Sequence, residues 1–217
     1  MSNEFVQNLA VLTPPAEEPI SLVTAKLHLR VTITAYDALI TALITAAREL
    51  VEKEVRRALV TRTYQLRMNR FPFWAPAFAW NPLVFERLPM GIYGHIHVPK
   101  PPLIAVNSIQ YLDVNGTLQT LDPSQYLVDA GGILQGAITP SYGNYFPQTR
   151  YQLDAVLISY DAGYGPAASV PLSLCQAMLL LIGHWYRNTE AATETSFSEL
   201  TLGAKALCSS FKWGSYG

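Results

Sequence analysis

The chain has 217 residues, half of them apolar, only 14% charged, and a formal net charge of −1. That length suits one large domain or a domain with a sizeable insertion. The thin charge leaves no basic face of the kind that grips nucleic acid, and it fits either a monomer with many Ser, Thr, Asn and Gln outside or a surface partly covered by neighbouring subunits.

Residues 1–19 read as an N-terminal arm. Pro14, Pro15 and Pro19 stop a helix, Glu17 and Glu18 keep the stretch wet, and Phe5, Leu9 and Leu12 are candidate anchors. No secretory signal or bilayer-spanning run is visible, so a soluble, intracellular chain is expected. Ser21 then opens a short helix with Leu22, Ala25, Lys26 and Leu29 at helical spacing. Thr34, with Asp37 three residues on, has the form of a capping box for a long helix. Its stripe runs through Leu39, Ile40, Leu43, Ile44, Ala47, Leu50, Val51, Val55 and Leu59. Lys53, Arg56 and Arg57 stand among Glu49, Glu52 and Glu54, as on a solvated helix face laced with ion pairs.

From residue 60 the period changes to two. "TRTYQLRM" puts Tyr64, Leu66 and Met68 on one face. A long aromatic loop follows, with Phe73, Trp74, Phe78 and Trp80 as candidate contacts to a neighbouring subunit. The same aromatics also suit a sugar-stacking platform, the alternative being a β-sandwich carbohydrate-binding module that uses Trp74 and Trp80. "HIHVP" is a short strand, and "VNSIQYLDVNGTLQTL" is a hairpin turning at Asn115-Gly116. "QYLVDA", "GILQGAITP" and "AVLISYDAGYG" complete about seven strands with no helix between them. The middle therefore reads as an antiparallel β-sandwich or barrel. Pro171 opens a deeply buried helix running to "HWYR", and a further helix is expected at about 198–208. The fold class is α+β: a helical body of residues 20–59 and 170–208, an inserted β module of 60–169, and a tail of 209–217.

Chemistry is thinly represented. His95 and His97 share a strand face but lack a third ligand, and no metal or cofactor is expected. There is no GxSxG elbow, no HExxH and no complete phosphate loop. Cys175 and Cys208 read as reduced core residues. An enzyme is not expected. The His184-Trp185-Tyr186 run reads as the buried end of the closing helix, where rings pack and polar tips find partners.

The order of these pieces resembles the phage head–tail connector, or adaptor, proteins. Ala25, Lys26, His28, Leu29 and Arg30 match an "AKxHLR"-like run of that family. Leu39, Ile40, Leu43, Ile44, Ala46, Ala47 and Glu52 match its "LIxxLIxAAxxxxE" helix. "TRTYQLRMNRFP", the 102–129 hairpin region and the closing strand and helix are similar as well. The chain departs from the pattern in its reduced "TITAYD" loop, its immediate Arg187 and its long 71–93 loop. The resemblance implies a virion neck protein, assembled in the host cytoplasm. It would form a ring, usually of about twelve copies, under the portal protein. The ring would extend the DNA channel, pass double-stranded DNA without specific binding, and dock the next neck or tail-completion protein, with no membrane involved. It further implies a C-terminal segment reaching the portal, and the aromatic content of this tail points to Phe211, Trp213 and Tyr216, together with Lys212, as the contacts. Subunit contacts would come from Arg48, Glu52, Arg56, Arg187 and Glu190.

Overall fold

A computed structural model describes residues 8–72, 94–131, 136–188 and 202–212. The described residues are mixed helix and antiparallel sheet and group into two compact units. One is a β unit of residues 8–14 and the described part of 62–162; the other is a helical unit of 15–61 and the described part of 163–212.

In the helical unit, α1 is Leu22–Leu29, α2 Asp37–Val55, α3 Leu172–Arg187 and α4 Leu202–Ser209. Ser21 caps α1 as expected, its hydroxyl accepting from the Thr24 N–H at 3.1 Å. The capping box at Thr34 does not form. Thr34–Tyr36 is a turn of 3-10 helix, and α2 begins only at Asp37. The Asp37 carboxylate is drawn to the Lys26 ammonium of α1, 2.6 Å away, and that tertiary partner wins over the local cap. Arg56, in the left-handed conformation at φ 57°, ends α2 four residues before the hydrophobic stripe does.

The core of this unit is the stripe of α2 (Ile40, Leu43, Ile44, Ala47, Val51, Val55) against Leu174, Ala177, Met178, Leu181 and Ile182 of α3. Each such side chain contributes about 1.5–3 kcal/mol when fully buried. Helix α3 is less enclosed than its composition suggests. Leu172 is 85% exposed, and Leu179 and Leu180 are half-buried. Gly183 lets α1 approach α3: a Cβ there would sit 3.2 Å from His28 Nε2.

The β unit holds eight strands among the described residues: β1 (Asn8–Thr13), β2 (Arg62–Met68), β3 (Ile96–Val98), β4 (Leu103–Leu112), β5 (Leu118–Thr120), β6 (Tyr126–Asp129), β7 (Gly136–Pro140) and β8 (Val156–Ala162). They form a five-stranded sheet in the order β1-β2-β8-β4-β5 and a three-stranded sheet in the order β3-β7-β6. All pairings are antiparallel. Tyr64, Leu66 and Met68 are buried on one face of β2, as their alternation requires. The Asn115-Gly116 turn joins β4 to β5, with Gly116 at φ 85°. Asp113 accepts the Asn115 and Thr117 N–H groups, each at 2.9 Å. Described residues of the N-terminal arm depart from a free tail: Asn8–Thr13 add an edge strand to β2. An arm read as wet from its prolines and acids thus carries six uncharged residues that pair along one side with β2.

Two backbone bonds tie the ends of the helical unit's segments. Tyr164 N–H donates to the Leu59 carbonyl at 3.1 Å, and Thr61 N–H to the Gly165 carbonyl at 3.0 Å. Gly163, just before Tyr164, is at φ 135°, and a Cβ there would fall 2.6 Å from the Val60 carbonyl group. Gly163→Ala should therefore lower unfolding free energy by about 2 kcal/mol or more, read by urea denaturation. Wild-type stability in that variant would show that the close approach is not rigid.

Candidate functional site: the charged seam and C-terminal exit of the helical unit

Charge in the helical unit is concentrated along α2. Arg48 and Glu52 are only 5% and 6% exposed. Arg48 Nε donates to Glu18 Oε2 at 2.8 Å, and its Nη1 to Glu52 Oε2 at 3.2 Å. Thr45 Oγ1 donates to the other oxygen of Glu18 at 3.0 Å. Glu52 Oε1 accepts the Leu59 N–H at 2.9 Å. Burial opposes the charge on Arg48, but the carboxylates of Glu18, Glu52 and Glu49 together outweigh it and hold the guanidinium protonated above its ordinary value. Glu17, beside Glu18, accepts the Ala167 N–H at 2.8 Å. The two acids of the supposed wet arm thus strap residues 17–18 to α2 and to the turn ahead of α3.

The solvated-face reading of 49–57 is corrected on this point. Lys53 and Arg56 are exposed, but Glu52 and Arg57 are buried with Arg48. Arg48 and Glu52, expected at a subunit interface, have their polar atoms engaged inside the monomer. Arg56 and Arg187 are exposed, and Arg187 Nε folds back onto the Gly183 carbonyl at 3.0 Å. Glu190 lies outside the described residues.

The closing run of α3 is split by helical geometry. Trp185 is buried at 7% and Tyr186 is half-buried, edge-on to Tyr36 with centroids 6.0 Å apart. His184 faces solvent, next to Asn188, and is not the buried tip the sequence suggested. It sits one position before Trp185, about 100° round the helix, so both cannot face the core.

At the C-terminal exit, Arg57 Nε donates to the Phe211 carbonyl at 2.7 Å, and Lys212 Nζ pairs with Glu54 Oε1 at 3.0 Å. The Phe211 side chain packs on the helical core. Phe211 and Lys212, expected as portal contacts, therefore have partners inside the unit. Trp213 and Tyr216 lie outside the described residues, as do the loop aromatics Phe73, Trp74, Phe78 and Trp80. Glu18, Glu54 and Arg57 stand in the sequence only as solvated charge, with no internal partner assigned to them. Their only local signal is charge next to an apolar stripe, which a solvated face shares.

His95 and His97 are both exposed. Among the described residues no group of three or more His, Cys, Asp or Glu could hold a metal, and no single helix is long and apolar enough to cross a membrane. Both cysteines are free. Burial, reinforced by the Glu54 charge, pushes the Cys208 thiol up to about 11.

The fold defines an α+β protein in which a helical unit, knit by buried charge on its long helix, shares the chain with an antiparallel β unit. Residues 19–110, from the start of the helical unit into β4, match the family model of the phage gp6-like head–tail connector proteins. Over that span the chain is similar to the head–tail connector proteins. Among solved structures it is similar to a chain of the virion of a native gene transfer agent particle: 18% identity, TM-score 0.71, covering 94% of this chain and 95% of that one. It is also similar to chains from the neck of the empty particle, computed with C6 symmetry (18% identity, TM-score 0.68, 95% of both chains). The neck of the native particle, computed with C12 symmetry, contains another (17% identity, TM-score 0.57, 93% of this chain and 95% of that one). At these identities the likeness shows the fold. A comparison with curated proteins finds no match.

Arg48→Ala should strip Glu18 and buried Glu52 of their shared cation and cost about 3 kcal/mol or more of stability, measured by chemical denaturation. A loss under about 1 kcal/mol, the range of an exposed pair, would show that the seam is solvated. In the folded protein Cys208 should alkylate at pH 8 at least about ten-fold more slowly than in urea. Equal rates would contradict the burial that raises its pKa.

Proposed function

We propose that this chain is a ring-forming neck protein of a phage-like particle. The observation that carries the reading is the connector-family match over residues 19–110. The fold likeness to chains of gene transfer agent necks, two of them computed with six- and twelve-fold symmetry, supports it. In this reading the helical unit is the body of the ring and the β unit is a module inserted into it.

Copies would pack side by side in a heterologous contact that closes by rotation, twelve to a ring. Such a contact needs apolar, weakly charged surface. Val23 and Leu27 on α1, Ile33, and Leu172 at the start of α3 are apolar residues left more than half exposed in the monomer. Arg56, Arg187 and Glu190 would sit at the rim of the contact. The tail of residues 209–217 would reach the portal protein, with Trp213 and Tyr216 as its apolar contacts. The β unit, with Phe73, Trp74, Phe78 and Trp80, would meet the next neck or tail-completion protein. Double-stranded DNA would pass through the ring held by no dense basic surface, as the net charge of −1 allows. The protein would act in the neck of the virion after assembly in the host cytoplasm.

Native mass spectrometry and negative-stain imaging test this reading. Rings are expected from the protein alone or on addition of isolated portal. A chain that stays monomeric with portal present would overturn it. Leu27→Glu should abolish rings and leave the monomer's melting temperature within a few degrees, since Leu27 is 74% exposed.

A further inference from the structure

Chain ends ordinarily fray unless something ties them down, and the C-terminal exit is tied at two consecutive residues. Arg57 is buried at 6% exposure just beyond the end of α2, and its Nε reaches across 154 positions of sequence to the Phe211 carbonyl. A buried guanidinium tolerates desolvation only with well-placed acceptors. This one donates to a main-chain oxygen, so it holds the backbone itself whatever side chain stands at 211. Glu54, one helical turn earlier, holds the next residue through the Lys212 ammonium. Below them the last turn of α4 is closed by Phe211 N–H to the Cys208 carbonyl at 3.0 Å and by Lys212 N–H to the Ser209 carbonyl at 3.3 Å. The Phe211 side chain adds packing on the core. Carbonyl, ammonium and ring are thus secured separately, which sets both the position and the direction of the chain at residues 211–212.

We propose that Arg57 and Glu54 are positioning residues for the C-terminal tail, fixing the place and direction of its root at residues 211–212. This rests on the reading above that the tail is the portal contact. The tail meets its partner with its root already ordered, so binding does not carry the entropy of fixing those residues. Ordering one residue's backbone costs about 1–2 kcal/mol, so freeing the root should weaken binding about ten-fold or more.

The test is binding to isolated portal of the wild type, Arg57→Met, Arg57→Lys, Glu54→Gln and a chain ending at Lys212. Amide hydrogen exchange is measured on each. Arg57→Met should speed exchange at residues 208–212 while α2 and α3 stay protected, and should weaken portal binding about ten-fold. Arg57→Lys should recover part of both effects, and Glu54→Gln should show a smaller loss of each. The chain ending at Lys212 should not bind. If it binds like the wild type, the tail is not the portal contact, and both the reading and the inference fall. If it fails to bind but Arg57→Met binds normally despite a loosened root, only the positioning role is overturned. Should Arg57→Met loosen α2 and α3 as well, Glu54→Gln decides by the same comparison, because its partner pair is partly exposed and its loss leaves the core intact.

Discussion

The carboxylate of Glu52 is the hinge of the helical unit. One oxygen neutralises Arg48 and the other takes the Leu59 N–H, seven residues on and past the left-handed turn that ends α2. Burying a carboxylate is costly unless its oxygens are hydrogen-bonded, and here each oxygen has a partner. Through Arg48 the same group orders Glu18 and the chain leading into α1. Through Leu59, whose carbonyl takes the Tyr164 N–H, it orders the stretch that returns towards α3. Four segments distant in sequence are therefore held by one polar chain set against an apolar stripe.

This arrangement bears on the proposed role in a neck ring. Charges that look solvent-facing in sequence are spent internally, while apolar residues such as Val23, Leu27 and Leu172 stand outside. In the proposed ring those exposed apolar side chains would be covered by neighbouring copies. The buried charges serve the unit's own geometry, and in the proposed ring the exposed apolar side chains would serve assembly.

The elements were largely legible because each obeys a one-dimensional period. The α2 stripe, the alternation of Tyr64, Leu66 and Met68, and the Asn115-Gly116 turn depend on neighbours a few residues away. The misreadings share a cause. Asp37 was assigned to a cap, but a lysine eleven positions back holds it. The Asn8–Thr13 strand has too short a pattern to stand out and exists because β2 offers a free edge. His184 was grouped with Trp185 by composition, although a helix turns adjacent residues to different faces.

By itself the sequence determined the α+β class, the helix-strand-helix order from residue 20 onward and a likeness to the connector family, because hydrophobic periodicity and motif order are properties of the chain. Only the tertiary structure decided which charges are buried, which leucines are left outside, and that Arg57 and Glu54 hold the root of the tail. Those outcomes depend on contacts between residues up to 158 positions apart. A local pattern reports that a residue is charged, but the fold supplies the partner that lets the charge be buried.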